Sequence, residues 1–294
     1  MSDTTSIEWC DSTFNPWIGC TKVSIAAQGG GGCDGCYAHV AAPVRVLRGR
    51  GHETFGPGAP RQRTGADYWK QPLRWNANAA EFKAQHGRRR RVFCASLADV
   101  FDNEVTPQWR DDLWTLIRAT PAIDWLLLTK RIGNAARMLP CSPDSFGAAF
   151  PNVWLGATVV NQAEVDRDVP KLLKIYAAQW FLSIEPMLGP ITLRRFLGQG
   201  FGPAPTWVIA GGESGPQARP SSPDWFRSLR DECDAVGVPF LFKQWGEWVS
   251  VSEVAGEGPH HAFDDGRTVR RVGKKLAGRL LDGVQHDGYP EALA

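Results

Sequence analysis

Cys20, Cys33 and Cys36 stand in the run GCTKVSIAAQGGGGCDGCYAHV, and no other stretch of the chain says as much about chemistry. Cys33 and Cys36 form a CxxC pair, which brings two thiolates within reach of one metal centre. Cys20 can supply a third if the glycines at 29–32 fold back. Three protein thiolates leave one iron of a [4Fe–4S] cluster open to an outside ligand, whereas purely electron-transferring clusters usually have every iron held by protein. An open iron is what S-adenosylmethionine (SAM) needs to be cleaved reductively. CxxC serves zinc as well, and His39 would complete a Cys3His site. A disulfide is the third alternative, set against an odd count of 7 cysteines and no secretory apolar segment near Met1.

The elements that must position these thiols are read from apolar runs. Strands are expected at 14–18, 92–95, 125–128, 153–157, 180–184, 207–210 and 240–242. Helices are expected at 37–47, 107–119, 132–139, 164–177 and 223–236, with Thr106 and Ser222 as N-caps before Pro107 and Pro223. Several strands are continuously apolar, as in a parallel sheet covered on both faces. Repeated β-then-α units predict an α/β fold, either a barrel or an open doubly wound sheet. At 294 residues and 43% hydrophobic content the chain has ample core for one large domain, which excludes a disordered protein. No apolar run approaches bilayer-spanning length, so a cytoplasmic protein with reduced thiols is expected.

The polar residues at the strand ends separate the metal alternatives. Strand 92–95 runs into Ser96, then Asp99 and Asp102. Strand 125–128 leads to Thr129, Lys130 and Arg131. The next three end at Thr158, Glu185 and Glu213, and the last at Lys243, Gln244 and Trp245. Parallel strands would gather these groups at the C-terminal mouth, where barrel enzymes place their sites. A surface zinc knuckle has no need of such a mouth, so the pattern leans towards iron–sulfur with SAM. The motif GGESG lacks both the GxGxxG spacing and a following lysine of a phosphate loop.

Charge is unevenly spread. Between Arg45 and Arg91 there are twelve Lys or Arg against three acids, leaving 21 basic and 28 acidic residues elsewhere. A basic segment on a mildly acidic body suggests a polyanion footprint, and the alternative is a solvated arginine-rich insert. Trp69 and Trp75 within it, or Trp245 and Trp248 in KQWGEW, are placed to stack on bases.

The blocks FNPWIGCTKVS, CDGCYA, PLRW, RVFCASLADVF, LLLTKR, NVWLGATV, SIEPMLGPI, WVIAGGESGPQARP, WFRSLRDEC and VPFLFKQWGEW, from about Glu8 to Trp248, resemble a phage-associated radical SAM family with a three-cysteine motif. VGKKLAGRLLDG resembles its C-terminal segment, and CxxC-Tyr-Ala is similar to the cluster loop of spore photoproduct lyase, which acts on thymine in DNA. Two features depart from the usual radical SAM pattern. Twelve residues separate Cys20 from Cys33, with Cys10 as the substitute first ligand. Gly35 stands where an aromatic is usual, and Tyr37 is expected to take over packing against adenine.

The resemblance implies a partial (β/α) TIM-like barrel of about six or seven parallel strands over 1–248, with the basic insert at about 45–91 and a C-terminal extension over 249–294 packed on the barrel. It implies a [4Fe–4S] cluster on Cys20, Cys33 and Cys36, with SAM on the open iron yielding a 5′-deoxyadenosyl radical. Tyr37, Ser96, Asp99 and Thr158 are the expected SAM contacts. Glu185, Glu213 and Lys243 are the expected catalytic groups, and Lys130, Arg131, Arg219 and Trp245 the expected substrate contacts. The implied substrate is a flipped-out thymine of phage DNA, in which an N-linked glycine is rearranged to the C-linked form in a bacterial host cell. Flavodoxin or ferredoxin would be the electron donor. The alternatives are a repair lyase, a tRNA-modifying radical SAM enzyme and a non-catalytic zinc-dependent nucleic-acid-binding protein.

Overall fold

The structure is a computed structural model and describes residues 4–23, 31–198 and 202–291. Seven strands form one sheet: β1 (Ser12–Phe14), β2 (Arg90–Cys94), β3 (Ile123–Thr129), β4 (Val153–Thr158), β5 (Gln179–Ile184), β6 (Trp207–Gly211) and β7 (Phe240–Gln244). Every pairing is parallel and joins consecutive strands of the set, with no pairing of β7 back to β1 among the described residues. A doubly wound sheet reverses its strand order partway, whereas an unreversed order is that of a curling (β/α) barrel. The fold is a partial TIM-like barrel of seven parallel strands.

Continuous apolar strands arise because both faces are covered. Val92, Leu127, Leu155, Leu182 and Phe242 face outward into the layer of helices α2 (Pro107–Ala119), α4 (Gln162–Leu173) and α5 (Pro223–Asp234). The alternate residues Phe93, Leu126, Trp154, Phe181, Ile209 and Leu241 turn inward and pack with Trp9, which fills the concave face; Tyr289 packs against this group. Trp9 meets Phe93 at 4.6 Å between ring centroids and Trp207 edge-on at 6.3 Å.

The expected strand 14–18 is divided. Pro16 lacks an N–H and stops the ladder after Phe14. Trp17–Ile18 then pairs antiparallel with Gln62–Arg63 of the basic insert. The expected helix 37–47 is also divided, into a 3-10 turn at Tyr37–Val40 and α1 (Ala42–Gly49), which restarts with a proline in its first turn. Helix α4 begins earlier than expected because Asn161 caps it, accepting a hydrogen bond from the Glu164 amide at 3.0 Å. It ends at Leu173, short of the expected Ala177. Thr106 and Ser222 hold the N-cap positions of α2 and α5 without a side-chain cap bond. Helix α3 (Ile132–Met138) follows β3. The insert itself contains three short helices not anticipated from sequence, Ala66–Trp69, Gln71–Ala77 and Ala79–His86. After β7, strands β8 (Trp248–Ser250), β9 (His260–Ala262) and β10 (Thr268–Arg271) make a small antiparallel sheet with β10 in its centre. No helix among the described residues is long and apolar enough to cross a membrane.

Candidate active site

The three cysteines share one corner of the barrel mouth. Gly19 bridges in parallel to Ala98, and its amide donates to the Leu97 carbonyl at 3.0 Å, so Cys20 lies beside the segment that follows β2. Cys20 and Cys36 pack on one small apolar cluster of Ile18, Ala38, Val44, Phe55 and Leu97. Arg131, just past β3, sends its guanidinium to 3.7 Å from the Cys20 sulfur and also bonds the Thr21 carbonyl. Burial pushes the Cys20 thiol up to about 12, with Asp99 adding to the rise and Arg131 opposing it. Burial also raises Cys33, against Lys130, the Val23 amide and Arg131. The glycines at 29 and 30, whose fold-back is expected from sequence, lie outside the described residues.

Cys10 stands apart from this corner. It packs against the inner apolar group, and burial raises its thiol with Asp11 adding and Lys243 opposing. The donor set on the corner suits an iron–sulfur cluster in kind: three thiols, with Arg131 and Lys130 offsetting part of the burial that disfavours the thiolates. Among the described residues, no group of three His, Cys, Asp or Glu side chains closes on a common point as metal ligands do.

Inside the mouth, Lys243 of β7 reaches across to Glu185 at the end of β5, with Nζ 2.8 and 3.0 Å from its two oxygens. Burial works against the ammonium, but Glu185 more than offsets it and holds Lys243 above its ordinary range. The Gln244 amide also donates to Glu185, at 2.9 Å. Tyr37 links this pair to the cysteines. Its hydroxyl donates to the Ser96 carbonyl at 2.8 Å and feels Cys36, Glu185 and Cys10, while the residue as a whole is 53% exposed. Thr158, at the end of β4, borders a small cavity together with Gly32, Cys33, Lys130 and Glu164. The Ser96 hydroxyl is engaged with Asn15.

Four other expected contacts are committed elsewhere in the protein. Buried Asp99 accepts hydrogen bonds from Thr129 at 2.7 and 2.9 Å, from the Phe101 amide at 2.9 Å and from the Lys130 amide at 3.1 Å, tying the end of β2 to that of β3. Arg131 is spent on Thr21 and Cys20. Arg219 forms a forked pair with Glu213, at 2.6 and 2.8 Å. Trp245 is 1% exposed, packed edge-on against Phe226 and Phe242, and donates its indole N–H to Leu280 at 2.6 Å. It is a core residue, closed to base stacking. The Trp248 indole is likewise tied to the Ala218 carbonyl, at 2.7 Å. Lys130 keeps an ammonium with no ion pair or side-chain hydrogen bond among the described residues.

The basic insert also differs from expectation. Residues 88–91 lead into β2 at the N-terminal end of the barrel, opposite the cysteines. Arg88 grips Asp11 with both nitrogens at 2.7 and 2.8 Å, and Arg89 pairs with Asp124 at 2.8 Å. Arg90 lies over Phe82 at 4.1 Å, and Arg91, 5% exposed, lies over Tyr289 at 4.1 Å. These cations fasten the base of the barrel. Trp75 is buried and Trp69 sits under Arg63 at 4.3 Å, so neither presents a free stacking face. Exposed cations on this side include Lys22, 3.9 Å from Asp34, and, on and after α1, Arg45, Arg48 (paired with Glu53) and Arg50.

Sequence reasoning missed the support of Cys20. Buried Arg61 pairs with buried Asp102 at 2.8 Å and donates to the Thr21 hydroxyl at 2.7 Å, so part of the insert braces the residue next to Cys20. No local sequence signal links residues so far apart.

No curated protein matches the sequence. Among solved structures, a double-mutant spore photoproduct lyase with bound AdoMet and dinucleoside spore photoproduct is similar at 11% identity and a TM-score of 0.41, covering 87% of this chain and 67% of that one. Spore photoproduct lyase complexed with dinucleoside spore photoproduct matches at 10% identity and a TM-score of 0.40, covering 87% and 66%. The family model described as Protein of unknown function (DUF5131) matches residues 4–290, and the chain belongs to that family.

Proposed function

We propose that this protein is a radical SAM enzyme that modifies a nucleic-acid base. One observation supports the proposal: at the mouth of a parallel partial barrel Cys20 and Cys36 pack on one cluster, Cys33 lies near enough to feel Cys36, and Tyr37 beside them feels both Cys36 and Glu185 of the Glu185–Lys243 pair. Cys20, Cys33 and Cys36 would hold a [4Fe–4S] cluster. That cluster, with SAM, supplies the electron and the carbon radical for removing an unactivated hydrogen. The chain's own residues bind and orient. Tyr37 offers its ring to a base, either adenine or the substrate. Thr158 borders the cysteine loop as a hydroxyl contact. Glu185 and Lys243 hold a polar group of the substrate between a fixed acceptor and a fixed donor. Trp9 and its aromatic neighbours keep water from entering through the base.

Within that class, the substrate we favour is a thymine of phage DNA bearing an N-linked glycine, rearranged to the C-linked form. Lys130 would hold the glycine carboxylate, since Arg131 and Arg219 are already engaged. DNA phosphates would meet Arg45 and Arg50, and a small flavodoxin- or ferredoxin-type protein would deliver the electron.

Anaerobic reconstitution with iron and sulfide, then dithionite and SAM, tests the class. The expected result is about four irons per chain and 5′-deoxyadenosine that is lost in Cys36→Ala. Tight zinc with intact SAM would overturn it in favour of a binding protein. Deuterium on the glycine α-carbon should appear in 5′-deoxyadenosine, and its absence there would sink the rearrangement.

A further inference from the structure

Glu213 and Arg219 lie outside the thiol corner, yet they are built around the cysteine loop. Glu213 is buried beyond the end of β6, and Arg219 returns to it through both its guanidinium and its backbone amide, the latter at 2.8 Å. The same guanidinium donates to the Gly31 carbonyl at 3.2 Å and stands 3.8 Å from Asp34. Asp34 in turn accepts from the Gly31 amide at 2.8 Å. Gly35, between the two cysteines of CxxC, lies so close to the pair that an added Cβ would come within 2.5 Å of Glu213 Oε1. A side chain at this position would therefore force the loop or the Glu213 carboxylate to move. The pair has its own support. The Glu247 amide donates to the Glu213 carbonyl at 2.9 Å, the Gly215 amide donates to the Glu247 carboxylate at 3.1 Å, and Arg271 of β10 bonds the Gly215 and Pro216 carbonyls at 3.1 and 2.6 Å.

We propose that Glu213–Arg219 is a positioning latch that sets the Cys33–Cys36 loop against the barrel mouth, and that the small C-terminal sheet braces it. The inference rests on the function proposed above only in taking Cys33 and Cys36 as cluster ligands. A latched loop opens rarely, and its thiols, half-buried in the closed form, react faster in the open one. Losing a charge-assisted fork raises the open population while leaving distant structure in place.

The experiment is timed alkylation of the metal-free full chain with iodoacetamide, with each cysteine quantified by mass spectrometry. Arg219→Gln and Glu213→Gln should raise the rates at Cys33 and Cys36 roughly tenfold relative to Cys141. Fully buried Cys94 and Cys233 should stay unmodified. Arg219→Lys, which keeps the charge without the fork, should restore part of the protection. Unchanged rates at Cys33 and Cys36 in both glutamine variants overturn the latch. If those variants expose Cys94 and Cys233 as well, Gly35→Ala decides, because its methyl wedges the loop away from Glu213 while the pair keeps both charges. A rise confined to Cys33 and Cys36 then supports the latch, and no rise rejects it. Iron uptake by the wild type is scored separately, so a chain that takes up no cluster refutes the proposed function without touching this result.

Discussion

The two ends of the barrel use the same residue types for opposite purposes. At the base, the arginines of 88–91 meet Asp11, Asp124, Phe82 and Tyr289, and their charges are committed to holding strands together. On the side of the mouth, Lys130, Arg45 and Arg50 form no ion pair among the described residues. Charge count along the sequence ranks the base higher; partner count in three dimensions reverses that ranking. A cation becomes a binding group when the fold withholds its acid.

Four measurements test that division. The largest effect belongs to the mouth. Cys20→Ala and Cys33→Ala should lose the bound iron with little change in thermal unfolding, whereas Cys10→Ala should retain it; the reverse pattern would move the first ligand to the inner face. Next is the inner plug: Trp9→Ala should lower stability by about 3–5 kcal/mol in denaturant melts, since a buried indole is replaced by a cavity. Undisturbed melting would show the concave face to be loosely packed. At the base, Asp11→Ala should cost about 1–3 kcal/mol, because it strands the Arg88 fork and the Arg91 amide at 2.8 Å. Glutamine at 88–91 should leave the salt dependence of DNA binding unchanged, while Arg45→Gln and Arg50→Gln should each flatten its slope by roughly one unit. A flattened slope from the base variants would collapse the distinction.

The smallest effect is a titration. Burial raises the Asp124 carboxyl to about 6, against the pull of Arg89 and its neighbours. The folded chain therefore takes up a proton between about pH 4 and pH 6 that the unfolded chain does not. Acidification from pH 7 to 5 should stabilise the wild type relative to Asp124→Asn by about 1 kcal/mol. No change in that window relative to the variant would show that Arg89 dominates and holds the carboxyl at or below its ordinary range.

Much of this architecture is legible in the sequence because it depends on neighbours along the chain. The strands of the barrel, helix α2 and the polar strand ends all derive from apolar runs and from prolines at helix starts. The commitments of individual side chains do not. Asp99 reads as a mouth residue, but its partners Thr129 and Lys130 arrive from the next β-α unit. Trp245 follows Lys243 by two residues, yet the chain turns after Gln244 and sends the indole into the outer core. Pro16 and the pair Asn161–Glu164 are readable signals for the division of the first strand and the early start of α4. The arginines of 88–91 carry no such signal, since Asp11 lies 77 residues from Arg88.

The plug of the concave face has a consequence for synthesis. The Tyr289 hydroxyl donates to the Glu8 carbonyl across 281 residues, and its ring covers Arg91 and Trp207. At ribosomal rates of ~5–20 residues per second, about 15–60 s separate the emergence of Trp9 from that of its last cover. Over the last part of that interval, after Gln244 has emerged, the aromatic lining of a nearly finished barrel lacks this cover. The nascent chain is therefore most prone to aggregation while the seven strands are present and the closing tyrosine has yet to arrive.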